Sequence, residues 1–382
     1  MALLISIIFL ILLPLGQWIR LDLNNGLSLV PLDLGIAALS VIFFLTNYRK
    51  ITGKFYKPIM LFMAALFLSL FLNFGSLELK QFLISGAYLL RLGFYFAIYF
   101  LILNSKKVKQ KLPSLMLISG TLLLIIGFIQ YAFYPDLRNL YYLGWDEHLY
   151  RLFSSFLDPN FAGSFFVLFF VFLIGTLNKN KFKYLLSGLS VLAVFLTYSR
   201  SGYVMLITST IVFFLLKGKY TFIIGFVLVF LITLVAISKL SHSSEGTNLL
   251  RLASTEARVD SAKNAIAIFK NSPIFGVGFD SYRYAQHRYG FLNKNWENVH
   301  SGAGTDNSFL FILATSGMVG FLAYIYLLLS ILKNSLRSKD RYSIILFSSL
   351  VGLIINSLFV NSLFYPAILL WLMALLGLRE NK

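Results

Sequence analysis

The sequence has no cysteine. This excludes disulfides, thiolate metal sites and a cysteine nucleophile. Charge is scarce too, at 13% of 382 residues, where soluble domains carry roughly a quarter. Acidic residues are the scarcer sign, 15 against 33 basic. The N-terminal MALLISIIFLILLPLG lacks the basic leader and small-residue cleavage site of a signal peptide, so it reads as a first spanning helix. Neither HExxH nor a DxD pair occurs in the outer loops, which leaves a metal site with little support. No internal repeat of the kind that marks many transporters is visible.

What is present is apolar: 58% of the residues, with a mean hydropathy of +0.79. A soluble fold of this length could not hide so many Leu, Ile, Val and Phe, and the bilayer must solvate most of the surface. Runs of bilayer length lie near residues 2–17, 27–46, 58–76, 82–103, 113–133, 161–177, 184–199, 202–216, 220–239, 308–331, 342–360 and 362–378. Basic residues alternate between the connecting loops. With the N-terminus inside, nineteen of the 33 fall on the cytoplasmic side with only Asp340 and Glu380 opposing them, which places +17 of the formal +18 there. The positive-inside rule thus accounts for the excess charge, and no nucleic-acid partner is needed.

These features predict an all-α polytopic integral membrane protein, one membrane domain over 1–382 with about twelve transmembrane helices and both termini cytoplasmic. Thirteen of the fifteen carboxylates and all four histidines fall to the outward side. Two outer loops are long, 134–160 and 240–307, and long loops at a membrane face are usually functional. In the second, Val259, Ala262, Ile266 and Phe269 recur at helical spacing, which predicts an amphipathic helix lying on the membrane or on the bundle. Asn271-Ser272-Pro273 should stop it, and the glycines of IFGVGFDSY permit tight turns after it.

Four arginines are candidates for binding an anion. Arg200, in TYSRSG, falls between two apolar stretches that are short for spanning helices, so its turn should be drawn below the outer surface. An arginine at the bilayer centre costs roughly 2.5–3.5 kcal/mol, less near the interface. A lipid-linked phosphate would repay it through bidentate hydrogen bonds; snorkelling to the headgroups is the plainer reading. Arg91, in GAYLLRLGFYF, lies deeper and should be paired, with Asp33 at a similar depth. Arg151, in RLFSSFLDPNFAG, is expected to open a helix on the outer side, with Asp158, Pro159 and Asn160 as turn and cap signals. Arg258 lies on the loop helix, where a solvated charged face is the alternative. Asp306 and His300, where the large loop returns to the membrane, are candidate general bases, although an Asp at a helix start is more often a cap. His148, His242 and His287 read as ordinary loop histidines.

The order of R…F…DPNFAG, TYSRSG, EARVDSAKNAIAIFKNSPIFGVGFDSY and TDNSFLFILATSGMVGF, over roughly 150–325, resembles the O-antigen ligase and O-antigen polymerase superfamily. The resemblance implies a bacterial inner-membrane enzyme active on the periplasmic or extracellular face. Such an enzyme is an inverting glycosyltransferase that moves glycan from undecaprenyl pyrophosphate to a sugar hydroxyl, with no cofactor and no metal. Its partners would be the lipid-linked glycan donor, a glycan or lipid-core acceptor, membrane lipids and other polysaccharide-assembly proteins. Arg200 matches the arginine of the family's SR motif, and Arg258 the arginine before the segment ending in P-x-x-G-x-G. Both would bind pyrophosphate. Asp306-Asn307 stands where ligases typically have His-Asn, which favours a polymerase over a ligase. A transporter or lipid-linked glycan flippase, the reading from another class, should place its polar residues near mid-membrane. Here only Arg91 and Asp33 do so.

Overall fold

The computed structural model describes residues 1–22, 27–47, 51–138, 148–176, 181–240, 245–249, 253–292 and 303–380. In hydrocarbon every backbone polar group must be satisfied within the chain, and helices do this locally. Among the described residues, helices lie on each of the twelve apolar runs: α1 (Ala2–Leu15), α2 (Pro31–Asn47), α3 (Tyr56–Leu72), α4 (Leu79–Asn104), α5 (Lys106–Phe133), α6 (Pro159–Thr176), α7 (Lys181–Leu196), α8 (Arg200–Leu216) and α9 (Tyr220–Leu240), then, beyond the loop, α12 (Ser308–Arg337), α13 (Arg341–Asn356) and α14 (Pro366–Arg379). Two more helices, α10 (Ala253–Asn271) and α11 (Tyr282–Arg288), belong to the large loop. Five helices, α4, α5, α6, α9 and α12, are long and apolar enough to cross a membrane by length and composition. The chain is therefore an all-α membrane protein, while the figure of twelve crossings remains an expectation of the sequence pattern. A two-residue antiparallel pair, Leu21 with Leu29 and Asp22 with Ser28, was not expected.

The core centres on α6, which packs against α7, α8 and α13. Its Phe165, Phe169 and Phe172 surround the buried Trp371 of α14 in edge-on contacts at 5.0, 6.1 and 5.6 Å. By contrast, α9 packs on α8 and α7 and leaves Ile224, Leu228, Ile232 and Val235 exposed. At the lysine-rich end of the bundle, Glu380 accepts the Tyr99 hydroxyl at 2.5 Å and the Lys54 N–H at 3.0 Å, which ties down the end of α14.

One break in the helical pattern positions the loop. Within α12, Gly317 is non-helical, with φ 62° and ψ −165°. The stretch 273–278 lies along this break. Val277 and Gly278 donate to the Ala314 and Thr315 carbonyls at 3.2 and 2.9 Å, and Met318 and Val319 donate back to Pro273 and Ile274 at 2.8 and 3.1 Å. Groups freed by the kink are thus satisfied by the loop, as burial in a membrane protein demands. Glycine is required at the contact, because a Cβ on Gly317 would fall 2.3 Å from the Ile274 carbonyl oxygen. Ser69 and Asn73 of α3 brace the junction from the other side, donating to the Thr315 and Gly276 carbonyls at 2.9 and 3.1 Å.

The loop helix forms as expected and ends at Asn271. Val259 and Ile266 are exposed, and Ala265 and Ile268 are the buried side chains packed toward α12. The small residues at 261, 262 and 265 let α10 approach α12 closely, and this close approach outweighs burial of the larger Val259 and Ile266. The apolar stripe therefore faces away from the bundle, while the row of Arg258, Ser261, Ala265 and Ile268 faces into it.

Candidate functional site

The turn between α7 and α8 supplies the first element of the site. It is tight, with Tyr198 at φ 49°. Ser199 caps α8: its Oγ accepts the Gly202 N–H at 3.3 Å and donates to Asn160 Oδ1 at 2.9 Å. Arg200 is consequently the first residue of α8, half-buried, and its Nη2 donates to Thr255 Oγ1 of α10 at 3.1 Å. Arg151 lies beneath this turn, 4% exposed. Its Nε donates to the Thr197 carbonyl at 2.8 Å, and Nη1 stands 3.4 Å from His148 Nδ1. Arg151–Phe153 has no regular secondary structure, a 3₁₀ turn follows at Ser154–Phe156, and the helix expected to open at Arg151 opens only at Pro159. Asp158 Oδ1 accepts the Asn160 N–H at 2.6 Å, the turn that the DPN sequence signalled.

The loop helix brings the second element. Arg258 is half-buried, and burial pushes its guanidinium pKa below the usual arginine range. Asp306 and Asp158 act to raise it, and Arg200 to lower it further. Arg258 is thus within electrostatic reach of three charged groups, each from a different stretch of chain. One turn along, Ser261 Oγ donates to Thr305 Oγ1 at 3.0 Å and accepts the Asp306 N–H at 3.4 Å. The Tyr282 hydroxyl donates to the Ser261 carbonyl at 3.5 Å. Burial pushes the Tyr282 hydroxyl pKa upward, and the Asp306 charge adds to the shift. Asp306 is exposed and is not the cap of α12: Asn307 is, its Oδ1 accepting from the Phe309 and Leu310 N–H groups at 2.8 and 3.0 Å. Its backbone N–H, bonded to Ser261, places Asp306 beside the loop helix.

Arg91 is placed elsewhere. Its Nη1 meets Asp33 Oδ2 at 3.4 Å, and its guanidinium lies over the Tyr88 ring at 4.6 Å. The Tyr95 hydroxyl donates to the other Asp33 oxygen at 2.8 Å. Asp280, at the end of the glycine-containing stretch, faces Arg91 and Arg283, and burial pushes its carboxyl up to about 7 against the pull of both arginines. The structure accordingly joins Arg200, Arg258 and Asp306, keeps Arg151 as a buried prop under the first of them, and assigns Arg91 to a different cluster. His300 and His242 lie outside the described residues; His148 is buried and His287 exposed. Sequence reasoning missed Ser261, Thr305, Asp280 and Arg283. For the last two a signal was available, since charge is rare in this chain and these two flank a Gly-rich turn. Among the described residues no group of three or more His, Asp or Glu side chains could hold a metal ion.

Residues 185–325 match the model of a family described as O-antigen ligase. The matched stretch contains Arg200, Arg258, Asp280 and Asp306 and supports the resemblance to the O-antigen ligase and polymerase superfamily. No curated protein matches the chain.

Proposed function

We propose, with the match to the O-antigen ligase family as premise, that the protein is an inverting glycosyltransferase of the surface-polysaccharide polymerase type. It takes glycan from undecaprenyl pyrophosphate at the outward face of the bacterial inner membrane and joins it to a sugar hydroxyl. The observation that carries this reading is that the helix bearing Arg258 binds Arg200 through Thr255 at 3.1 Å and the Asp306 backbone through Ser261 at 3.4 Å. Two like charges brought together from separate elements repel, and an anion between them turns that cost into binding. Departure of a lipid pyrophosphate builds negative charge on its leaving oxygen, and each preorganised donor in a poorly solvated site contributes roughly 3–4 kcal/mol to holding it. The two guanidiniums supply that charge without calling on a metal.

In the step itself, the acceptor hydroxyl gives its proton to the Asp306 carboxylate. Its oxygen bonds to the anomeric carbon on the side opposite the pyrophosphate. The bond from that carbon to the pyrophosphate oxygen breaks, and the electron pair leaves with the lipid between Arg200 and Arg258. Attack opposite the leaving group inverts the anomeric configuration. Attachment of finished glycan to a lipid core is the second reading, favoured by the description of the matched family. Asp306-Asn307, where the ligases typically have His-Asn, favours the polymerase.

The test is purified protein in lipid nanodiscs supplied with undecaprenyl-pyrophosphoryl repeat units. Polymerase activity yields a ladder of lengthening glycans; ligase activity yields one product, and only when lipid core is added. If the wild-type protein releases no lipid pyrophosphate under either condition, the reading falls.

A further inference from the structure

We propose that Asn356, the last residue of α13, is a positioning residue of the transfer reaction: through hydrogen bonds to Ser164 and Ser362 it fixes the Arg200 turn relative to the start of α12. The proposal rests on the glycosyltransferase reading above.

The two sides of the candidate site are joined twice. One connection is α10, where Thr255 accepts from Arg200 at 3.1 Å and Ser261 accepts the Asp306 N–H at 3.4 Å. Both of these bonds are exposed, and a hydrogen bond open to water contributes only about 1 kcal/mol.

The other connection runs through the interior. Ser199, which precedes Arg200, donates to Asn160 Oδ1 at 2.9 Å. One turn along α6, Ser164 Oγ donates toward both the Asn160 carbonyl at 2.9 Å and Asn356 Oδ1 at 3.1 Å. Asn356 Oδ1 also accepts from Ser362 at 2.7 Å, and the Ser357 and Ser362 hydroxyls are bonded at 2.9 Å. The Ser357 carbonyl accepts the Ser308 N–H at 2.9 Å, and the Leu358 carbonyl accepts from Asn307 Nδ2 at 3.1 Å. Asn307 and Ser308 follow Asp306 directly. The line from Arg200 to Asp306 therefore passes only through hydrogen bonds and through residues that share them or adjoin in the chain.

Burial decides which connection sets the spacing. Ser164, Ser199, Ser308, Asn356, Ser357 and Ser362 are all 0% exposed. Polar groups cost free energy in an apolar bundle unless they are bonded, and once bonded there they hold one another more firmly than at a wet surface. Asn356 is the branch point, since its one oxygen takes Ser164 from α6 and Ser362 from the segment before α14. Its Nδ2 has no acceptor among the described residues, which destabilises the fold. Stability therefore does not account for an asparagine at this position, whereas joining the two halves does. A misplacement of about 1 Å between reacting groups can lower a rate roughly 10²-fold.

Asn356→Leu and the milder Ser362→Ala test this, each alone and combined with Asp306→Asn. Rates are measured per folded molecule in nanodiscs supplied with undecaprenyl-pyrophosphoryl repeat units. The expected result is kcat lowered about tenfold or more, with KM within about twofold of wild type. In the Asp306→Asn background the same changes should lower kcat less than about twofold, because the spacing they disturb no longer serves a proton transfer. A lower melting temperature with kcat per folded molecule unchanged would overturn the proposal, as would an equal loss of kcat in both backgrounds. Should Asn356→Leu fail to fold, Ser362→Ala decides by the same criteria. Should the wild type transfer no glycan, the glycosyltransferase reading fails instead, and the network is judged by distance. Spin labels on Val204→Cys and Leu358→Cys, both exposed positions in a cysteine-free chain, report it. One narrow distance that broadens in Ser362→Ala sustains the positioning role, and an unchanged distribution overturns it.

Discussion

Arg91 and Arg151 are held by groups of the protein itself, a carboxylate for one and a backbone carbonyl for the other. Arg200 and Arg258 instead stand near each other, and the carboxylates in reach, Asp158 and Asp306, are carried by turns rather than paired along a helix. The first pair is arranged to keep the fold in place. The second is arranged to meet something that carries negative charge. In a chain where charge is rare, a second guanidinium within electrostatic reach sets the second pair apart from the first.

The largest effects should come from the second pair. Arg200→Ala and Arg258→Ala should each cut glycan transfer roughly 10²–10³-fold, with protein in the membrane at wild-type level. Arg200→Lys should fall well below wild type because lysine has no bidentate fork. Transfer at the wild-type rate in both alanine variants, assayed in nanodiscs, would erase the distinction between the pairs.

Asp306→Asn should follow, with a loss of roughly 10²–10⁴-fold for a general base and no change in melting temperature, since Asn307 is the cap. Asn307→Ala should behave in the opposite way, costing about 1 kcal/mol of stability and leaving the activity per folded molecule intact. A fully active Asp306→Asn would send the search for the base back toward His300.

Arg151→Ala sharpens the comparison from the structural side. It removes a charged donor from the Thr197 carbonyl and should cost about 1.5–3 kcal/mol, seen as a lower melting temperature, with activity tracking the folded fraction.

The smallest effect is a pH dependence. The Asp280 carboxyl, pushed up to about 7 from the ordinary 3.8, binds its proton more tightly folded than unfolded. Its contribution to stability is therefore full below about pH 4 and is lost as pH rises through about 7. The melting temperature should decline across that window, and Asp280→Asn should flatten the decline.

Much of the fold was legible in advance because the bilayer enforces two simple rules. Spanning backbone must be helical, and basic loops collect on one side; both are written in composition and spacing. The helices on the twelve apolar runs follow from them, as does the α10 helix with its stop at Asn271-Ser272-Pro273. The pairing of Arg91 with Asp33 was within reach as well, since both lie deep in apolar helices and a buried charge needs a partner.

What sequence spacing left open was the docking face of α10. Periodicity finds the large apolar residues, Val259 and Ile266, but at a membrane such residues are equally content facing lipid. Small and polar side chains, Ser261 and Ala265, permit close packing against α12, and that contact turns Arg258 inward beside Arg200. The break at Gly317 was hidden for a similar reason. A glycine in an apolar run is tolerated in any membrane helix, and only the hydrogen bonds from residues 273–278 show that the helix is interrupted there.

The sequence by itself determined that this chain is a helical membrane protein and which rare polar residues could act. These depend on local rules of solvation. Only the tertiary structure decided which arginines meet, that Asn307 rather than Asp306 caps α12, and that Asp280 faces Arg91 and Arg283. The meeting of Arg200 with α10 and of Arg91 with Asp33 depends on contacts between residues more than fifty positions apart, whose geometry is set by packing that no local pattern encodes.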